Sequence, residues 1–279
     1  MSLAHLALAA ALAASPAKHT PNTKITWYEQ AGFKIETPKG KVLMIDPWLT
    51  NPKSPLKDEA DPVAKLGKVD YVLVTHGHFD HVGQAVAIGK ATGAKLVTVM
   101  ELGNLLKAAG YPEKQAGFDT LGEPGSPVQL DDEVTVTMIA EQHSSGFDPV
   151  AASGAKPADG TPPPPLEYGG VPVGFVIQIA NGPTIYHTGD TDVFYDMKDR
   201  IGDRFKVDVM LACIGGHFTM DPDGAALAAN YVHPKVIVPM HFDLFPVFTG
   251  TPDKLRAALK AGKNKAQVVE LKPGVEQLF

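Results

Sequence analysis

The chain has 279 residues, of which 44% are hydrophobic and 20% are charged, and its formal net charge is −6. That length and apolar content suffice for a large packed core, and the acidic balance argues against binding to nucleic-acid phosphates. The single cysteine, Cys213, excludes an internal disulfide and a zinc–cysteine cluster.

The chain begins with an apolar, alanine-rich run at residues 3–14, followed by Ser15-Pro16-Ala17. The run is too short to cross a bilayer, and two interpretations stay open. A signal-peptide remnant would place the protein in the periplasm or outside the cell. A helix that packs on the body or on another subunit would leave a cytoplasmic location. We therefore separate this segment, residues 1–23, from a single domain over residues 24–279.

The first half of the domain is rich in predicted strands, with turn signals between them. The apolar run at residues 69–74 is typical of a strand buried on both faces. The predicted strands are residues 25–28, 33–36, 42–45, 69–74 and 96–99, and the predicted helices are residues 82–92 and 102–109.

The second half repeats this alternation of strands and helices. Asp221 before Pro222 predicts the start of one helix, and Thr251 and Gly262 bound another. The predicted strands are residues 134–140, 175–179, 184–186, 207–212 and 236–238, and the predicted helices are residues 221–231 and 252–261. Strands precede and separate helices in both halves, so an α/β fold with two sheets and outer helices is favoured over one Rossmann sheet.

Residues 144–172 form a Gly- and Pro-rich insert that includes four consecutive prolines, residues 162–165. Proline density of this kind is incompatible with a regular helix or a central strand. A loop of this length within a domain is either a solvated insertion or a lid over a binding site.

The run at 69–74 leads directly into His76-Gly77-His78-Phe79-Asp80-His81, which holds four potential metal ligands in six residues. A loop leaving a strand end can turn alternate side chains to one side, so His76 and His78 can converge on one ion. Imidazole and carboxylate together suit zinc, manganese or iron rather than calcium. A loop of solvated histidines is the alternative, and the density of ligands argues against it.

This His-x-His-x-Asp-His pattern resembles the signature of the metallo-β-lactamase superfamily. The resemblance implies a four-layer αββα sandwich, two β-sheets flanked by helices, and extends over nearly the whole chain after Lys24. It also implies three further ligands at later strand ends, namely His143, Asp190 and His241.

A finer resemblance is to the branch of metal-dependent hydrolases similar to L-ascorbate-6-phosphate lactonase. The residues that carry it are Ile45-Asp46-Pro47-Trp48, Tyr186-His187-Thr188-Gly189-Asp190-Thr191 and Gly215-Gly216-His217-Phe218-Thr219-Met220-Asp221-Pro222. The chain departs from that branch at Glu29-Gln30, where Gly-His is usual, at Phe242-Asp243-Leu244, where Tyr-Gly-Thr is usual, and at Cys213, where Pro is usual.

The resemblance implies a centre of two divalent ions, zinc or manganese. His76, His78 and His143 would hold one ion. Asp80, Asp190 and His241 would hold the other with His81 as co-ligand, and Asp190 would bridge the two. Two ions about 3.5–4 Å apart can share a water molecule and lower its pKa towards neutrality, which yields a metal-bound hydroxide.

Four residues receive further roles around that centre. Asp80 and His217 are the expected catalytic groups, and His217 is either a proton donor or substrate ligand or a structural histidine. Asp46 is expected to orient ligand histidines from behind, and His187 is expected either to support the ligands in the same way or to belong to the core.

The sequence therefore predicts a hydrolase of a small ester, lactone or phosphodiester. The alternatives are a phosphodiesterase or nuclease and a non-catalytic metal-binding scaffold. We expect a small-molecule substrate and neither a nucleic-acid nor a membrane partner, and a homo-oligomer is compatible with the sequence.

Overall fold

The computed structural model describes residues 22–154, 162 and 164–279. Residues 1–21 lie outside this part of the chain, and with them the two interpretations of the N-terminal segment. Residues 155–161 and 163 of the insert also lie outside it. Within the described ranges, no helix has both the length and the apolar character needed to cross a membrane.

The chain folds into an αββα sandwich with two seven-stranded mixed sheets, as predicted. The first sheet has the order β16-β1-β2-β3-β4-β5-β6, with β1 Lys24–Trp27, β2 Phe33–Glu36, β3 Val42–Ile45, β4 Tyr71–Leu73, β5 Lys95–Val99, β6 Leu121–Gly122 and β16 Glu276–Leu278. The second sheet has the order β15-β14-β13-β12-β11-β8-β7, with β7 Pro127–Gln129, β8 Val134–Ala140, β11 Val173–Ile179, β12 Thr184–His187, β13 Val209–Cys213, β14 Val236–Met240 and β15 Gln267–Val268.

Helices pack on both sheets, α3 and α4 on the first and α7 on the edge of the second, with α6 beside α7. The helices are α1 Pro62–Leu66, α2 Phe79–Val82, α3 Ala85–Thr92, α4 Met100–Ala108, α5 Pro149–Ser153, α6 Pro222–Val232 and α7 Pro252–Ala261, with a 3₁₀ turn at Glu113–Gln115 and a π-helical turn at Lys198–Gly202. The predicted caps are present, because the Asp221 side chain accepts from the Gly224 N–H and Thr251 accepts from Lys254.

Strand direction brings the ends of several strands to common edges. In the first sheet β3 and β4 are parallel and Ile45 pairs with Leu73, so the chain leaves both strands at the same edge. In the second sheet β8 and β12 are both antiparallel to β11 and therefore run the same way, and β13 and β14 run parallel to β12. The segments after β8, β12 and β14 consequently emerge at one edge.

The helix predicted over residues 82–92 is interrupted near its start, at residues 83 and 84. The structure has two helices here, Phe79–Val82 and Ala85–Thr92, because the chain turns at Gly83 with φ +39°. A Cβ at Gly83 would lie 2.3 Å from the Pro47 carbonyl oxygen, so the backbone approaches too closely for any side chain. The break allows α2 to carry Asp80 and His81 separately from α3.

The exclusion of regular helix from the insert is also wrong. The described part of the insert contains α5, and a two-stranded ribbon of β9 Gly146–Phe147 and β10 Glu167–Tyr168. Pro149 stands in the first turn of α5, where a missing N–H is tolerated. The Asp148 side chain accepts from the N–H groups of Val150 and Ala151 and begins the helix.

Candidate metal centre

Three imidazoles meet where the loop after β4 faces the segment after β8. His76 Nε2 lies 2.8 Å from His78 Nδ1, and His143 Nε2 lies 3.3 Å from the same atom. His76 is fully buried, whereas His78 and His143 are partly exposed. These side chains, the trihistidine group, could hold a metal ion.

Gly77 explains why these two segments lie so close together. A Cβ at this position would stand 3.1 Å from Phe147 Cβ and 3.2 Å from the Gly146 carbonyl oxygen, so any side chain would press the segments apart. The Gly77 N–H also donates to Ser145 Oγ at 3.1 Å. The loop after β4 is thereby fixed against the start of the insert, which brings His143 to His78.

A second set of four side chains, the mixed group, consists of Asp80, His81, Asp190 and His241. His241 Nε2 lies 3.0 Å from Asp190 Oδ2 and 3.5 Å from Asp80 Oδ2. His81 Nε2 lies 3.3 Å from Asp190 Oδ2. All four side chains are buried, and Asp80 and His81 form with His241 a set that could hold an ion.

Asp190 lies between the two groups. Its Oδ2 is 3.7 Å from His143 Nε2 as well as near His81 and His241, and it forms a further possible set with His76 and His81. Its other oxygen, Oδ1, is buried and has no hydrogen-bond partner among the described residues. A carboxylate with two oxygens in this position can contact two ions.

Asp46 lies behind His81, within hydrogen-bonding distance of its ring. Its Oδ2 is 2.7 Å from His81 Nδ1 and also accepts from Thr75 Oγ1 at 2.7 Å, while Oδ1 accepts from the Thr75 N–H at 2.8 Å. A carboxylate at Nδ1 holds the proton there and leaves the Nε2 lone pair free for a cation. His81 Nε2 is buried and has no hydrogen-bond partner in the described chain.

The electrostatics of the two groups differ. Burial, reinforced by the neighbouring histidines, lowers the pKa of His78 to about 4 and that of His76 well below its ordinary value, so both rings are neutral with free lone pairs. Burial opposes protonation of His241 too, but Asp190 and Asp80 outweigh it and raise its pKa to about 9. Positive charge is thus favoured at the mixed group, and a divalent cation could supply it in place of protons.

His187 and His217 lie outside both groups. His187 is buried, with Nε2 2.9 Å from the Ala31 carbonyl oxygen and Nδ1 accepting from the Gly189 N–H, so it fixes the turn before Asp190 through the backbone. His217 is exposed and packs edge-on against Phe218. No hydrogen bond joins it to the described residues of either group, and its predicted role stays a prediction.

Gln30 is a site residue that the sequence analysis noted only as a departure from the lactonase-like branch. It is fully buried, and its Nε2 lies 3.3 Å from Asp80 Oδ2 and 3.1 Å from His241 Nε2. No local sequence pattern signals this position, because a left-handed turn and a contact with His241 direct the Gln30 side chain inward.

Exposed apolar side chains lie in the segments that carry the two groups. Phe79, between His78 and Asp80 in the sequence, and Phe218 are 53% and 58% exposed. Phe218 packs on Phe248, which in turn packs on the His241 ring at 5.1 Å between centroids. On the other side, Leu166 of the insert lies against Gly146, next to His78.

Comparison with known proteins identifies related sequences over most of the chain. A family model for the beta-lactamase superfamily domain matches residues 24–241. A UPF0173 metal-dependent hydrolase of Anaeromyxobacter dehalogenans is 56% identical over 262 residues, which cover 94% of this chain and 88% of that protein. Another, from Thermodesulfovibrio yellowstonii, is 46% identical and covers 90% of each chain.

Solved structures show the same fold. The metallo hydrolase Igni18 of Ignicoccus hospitalis is 32% identical, with a TM-score of 0.74 and coverage of 92% of this chain and 98% of that one. The metallo-β-lactamase fold protein YhfI of Bacillus subtilis is 13% identical, with a TM-score of 0.63 and coverage of 93% of this chain and 100% of that one. A similarity at this level of identity bears on the fold alone. The chain therefore belongs to the metallo-β-lactamase superfamily and, within it, to the family of the UPF0173 metal-dependent hydrolases.

Proposed function

We propose that the chain is a hydrolase that uses two divalent metal ions, zinc or manganese, to activate water against a small ester or lactone. The observation that carries the proposal is the convergence of seven side chains from both sheets on two adjoining groups. The trihistidine group would hold one ion and the mixed group the other, with Asp190 between them.

The donor atoms support two ions. Buried nitrogen and oxygen atoms are normally hydrogen-bonded, yet His81 Nε2 and Asp190 Oδ1 have no such partner in the described chain. The combination of imidazole and carboxylate suits zinc and manganese. When bound, ions of this kind act as Lewis acids that lower the pKa of water and polarise a substrate carbonyl.

The chain's own residues would position that chemistry. Asp46 holds the His81 ring by Nδ1, and Gly77 keeps the trihistidine loop against the insert. His217, exposed beside Phe218, is the group we assign to proton transfer to the leaving group. Asp80, the other expected catalytic group, would act through the ion of the mixed group.

The surroundings favour a neutral, partly apolar substrate. Exposed Phe218 and Leu166 lie next to the two groups and offer apolar contact area. Lys53 is paired with Asp243 at 2.8 Å, two residues after His241, so its charge is already partly balanced by a carboxylate. These features, with the lactonase-like resemblance, favour an ester or lactone over a phosphodiester.

Loading the metal-free protein with Zn²⁺ or Mn²⁺ and assaying an aryl ester, a set of lactones and a bis-aryl phosphodiester tests the proposal. We expect metal-dependent turnover of esters or lactones. Cleavage of the phosphodiester alone would instead establish the phosphodiesterase alternative. Failure of the fully loaded protein on the whole panel would favour a metal-binding scaffold.

A matched pair of variants links activity to the centre. Asp190→Asn should reduce turnover at least about 100-fold, since even residues behind metal ligands change affinity or activity by roughly 10- to 100-fold. Asp192→Asn, two residues later in the same loop and exposed, should retain activity. Equal losses in both variants would mean that the loop, rather than the Asp190 carboxylate, is what matters.

A further inference from the structure

The turn between β1 and β2 places a glutamine side chain among the atoms of the mixed group. Gln30 Nε2 is 3.3 Å from Asp80 Oδ2 and 3.1 Å from His241 Nε2, and those two atoms are 3.5 Å apart. Neighbouring ligand atoms around an ion with bonds of about 2.1 Å stand roughly 3.0–3.4 Å apart. The end of the Gln30 side chain therefore occupies the position of a further ligand.

The fold holds Gln30 firmly in this place. Its carbonyl oxygen accepts from Trp27 Nε1 at 2.9 Å and from the His241 N–H at 3.3 Å, so His241 contacts both its main chain and its side chain. Glu29 and Gln30 have φ of 74° and 46°, a left-handed conformation that is unfavourable for side chains with a Cβ. Such conformations persist where the surroundings impose them, and they cluster at ligand sites.

The amide oxygen of Gln30 is the unexplained atom. Oε1 is buried and has no hydrogen-bond partner in the described chain, which is unfavourable for a carbonyl oxygen. The two ends of an amide have the same shape and exchange when the terminal group rotates. Without a cation, the NH₂ group of Gln30 points to the Asp80 carboxylate, to which it can donate. A cation held by the same side chains would attract the carbonyl oxygen and repel the NH₂ group.

We propose that Gln30 binds the ion of the mixed group through its amide oxygen. The inference rests on the proposed two-ion centre and adds a ligand to it. The mixed group then offers three oxygen ligands, from Asp80, Asp190 and Gln30, with two imidazoles. The trihistidine group offers mainly nitrogen. Oxygen ligands suit manganese and imidazoles suit zinc, so the two sites differ in their metal preference.

Titration of the chelator-treated full chain with Mn²⁺, with free Mn²⁺ followed by electron paramagnetic resonance, tests the inference. Gln30→Leu should weaken one of two sites by roughly 10- to 100-fold, the range found for residues that support a metal site, and leave the other unchanged. Gln30→Glu, which supplies a charged oxygen, should keep or strengthen that site. Gln30→Asn, which draws the amide back by one bond, replaces Gln30→Leu if that variant does not fold.

Asn51→Ala is the matched control. Asn51 is buried and its side chain donates to the carbonyl oxygens of Tyr28 and Trp48, so it supports the same turn without contacting the mixed group. Equal loss of Mn²⁺ affinity in Asn51→Ala and Gln30→Leu would overturn the inference, and so would wild-type affinity at both sites in Gln30→Leu.

Crystals of the Mn²⁺-loaded protein give an independent answer by anomalous diffraction. We expect the Gln30 amide within about 2.0–2.4 Å of an ion. A separation beyond roughly 3 Å, longer than any bond between an ion and its ligand, would contradict the inference. A wild-type chain that binds no ion refutes the proposed function, whereas two bound ions that are insensitive to Gln30 refute this inference alone.

Discussion

At the scale of single residues, Asp46 connects the end of β3 to His81. Asp46→Asn places an amide beside His81 Nδ1, where the carboxylate now lies at 2.7 Å. An amide NH₂ in that place favours the tautomer whose proton is on Nε2, which removes the lone pair that an ion requires. We expect affinity for one ion to fall by roughly 10- to 100-fold, measured by Mn²⁺ titration.

Asp70→Asn is the control for this prediction. Asp70 Oδ2 accepts from the Val42 N–H at 2.8 Å at the other end of β3, so the variant perturbs the same strand without touching the centre. Its Mn²⁺ affinity should match that of the wild type. A similar loss in both variants would show that strand β3, and not the Asp46–His81 contact, governs metal binding.

Substitution of His217 distinguishes a structural role of this residue from a chemical one. It is exposed and its ring contacts only Phe218 among the described aromatic pairs. His217→Ala should therefore change the free energy of unfolding by no more than about 0.5 kcal/mol. If His217 transfers a proton, kcat on an ester with a poor leaving group should fall by roughly 10²- to 10⁴-fold. Unchanged kcat with that ester would leave His217 as a surface histidine.

At the scale of elements, the short helix α2 depends on Gly83. Gly83→Ala combines a left-handed backbone with a Cβ only 2.3 Å from the Pro47 carbonyl oxygen. Overpacking and the left-handed conformation together should cost about 2–4 kcal/mol of unfolding free energy in urea titrations. Metal affinity should fall as well, because α2 carries Asp80 and His81.

Gly93→Ala is the control for the steric part of this effect, because Gly93 also has a positive φ. Gly93 ends α3 with φ +70°, and a Cβ there would meet nothing within 4 Å. This variant should lose only about 1–2 kcal/mol and keep its metal affinity. An equal cost in the two glycine variants would contradict the role assigned to the Pro47 contact.

Elements with strong local signals could be predicted from the sequence, often to the residue. The strand Val134–Ala140 and the helix Pro252–Ala261 have the predicted bounds, because alternation, an N-cap and a terminal glycine are local features. The break at Gly83 could not be predicted, since it arises from contact with Pro47, which is distant in sequence. The two-residue ribbon strands are likewise set by tertiary pairing.

The same distinction holds for the candidate site. The cluster of possible ligands at residues 76–81 can be recognised in the sequence. The family resemblance implied His143, Asp190 and His241, and the structure brings these three side chains next to the cluster. Gln30 could not be assigned in this way. Its position depends on a left-handed turn and on the approach of the β1–β2 hairpin to the end of β14, neither of which has a local sequence pattern.

At the scale of the whole molecule, the two groups join the two sheets. His76, His78, Asp80 and His81 follow β4 of the first sheet, whereas His143, Asp190 and His241 follow strands of the second. Both groups take side chains from both sheets, so bound ions would tie the two sheets together at one edge. Metal binding is therefore expected to stabilise the whole fold and not one loop.

Removal of metal tests that coupling. A ligand that binds only the folded state at 100 times its Kd adds about 2.7 kcal/mol of stability. For a chain of this size, that corresponds to a shift in Tm of roughly 5 °C per ion. We expect a chelator to lower Tm by at least this amount in a single transition, and Mn²⁺ or Zn²⁺ to restore it.

Asp190→Asn should respond much less to the chelator, because Asp190 lies between the two groups and both ions would lose a ligand. Two separate melting transitions after chelation would mean that the ions, and not the packing between the sheets, hold the two sheets together. An unchanged Tm in the wild type would contradict resident metal altogether. A single transition that shifts with metal requires both that the ions bind the folded state and that the sheets unfold together, and this is what shared ligands at a common edge predict.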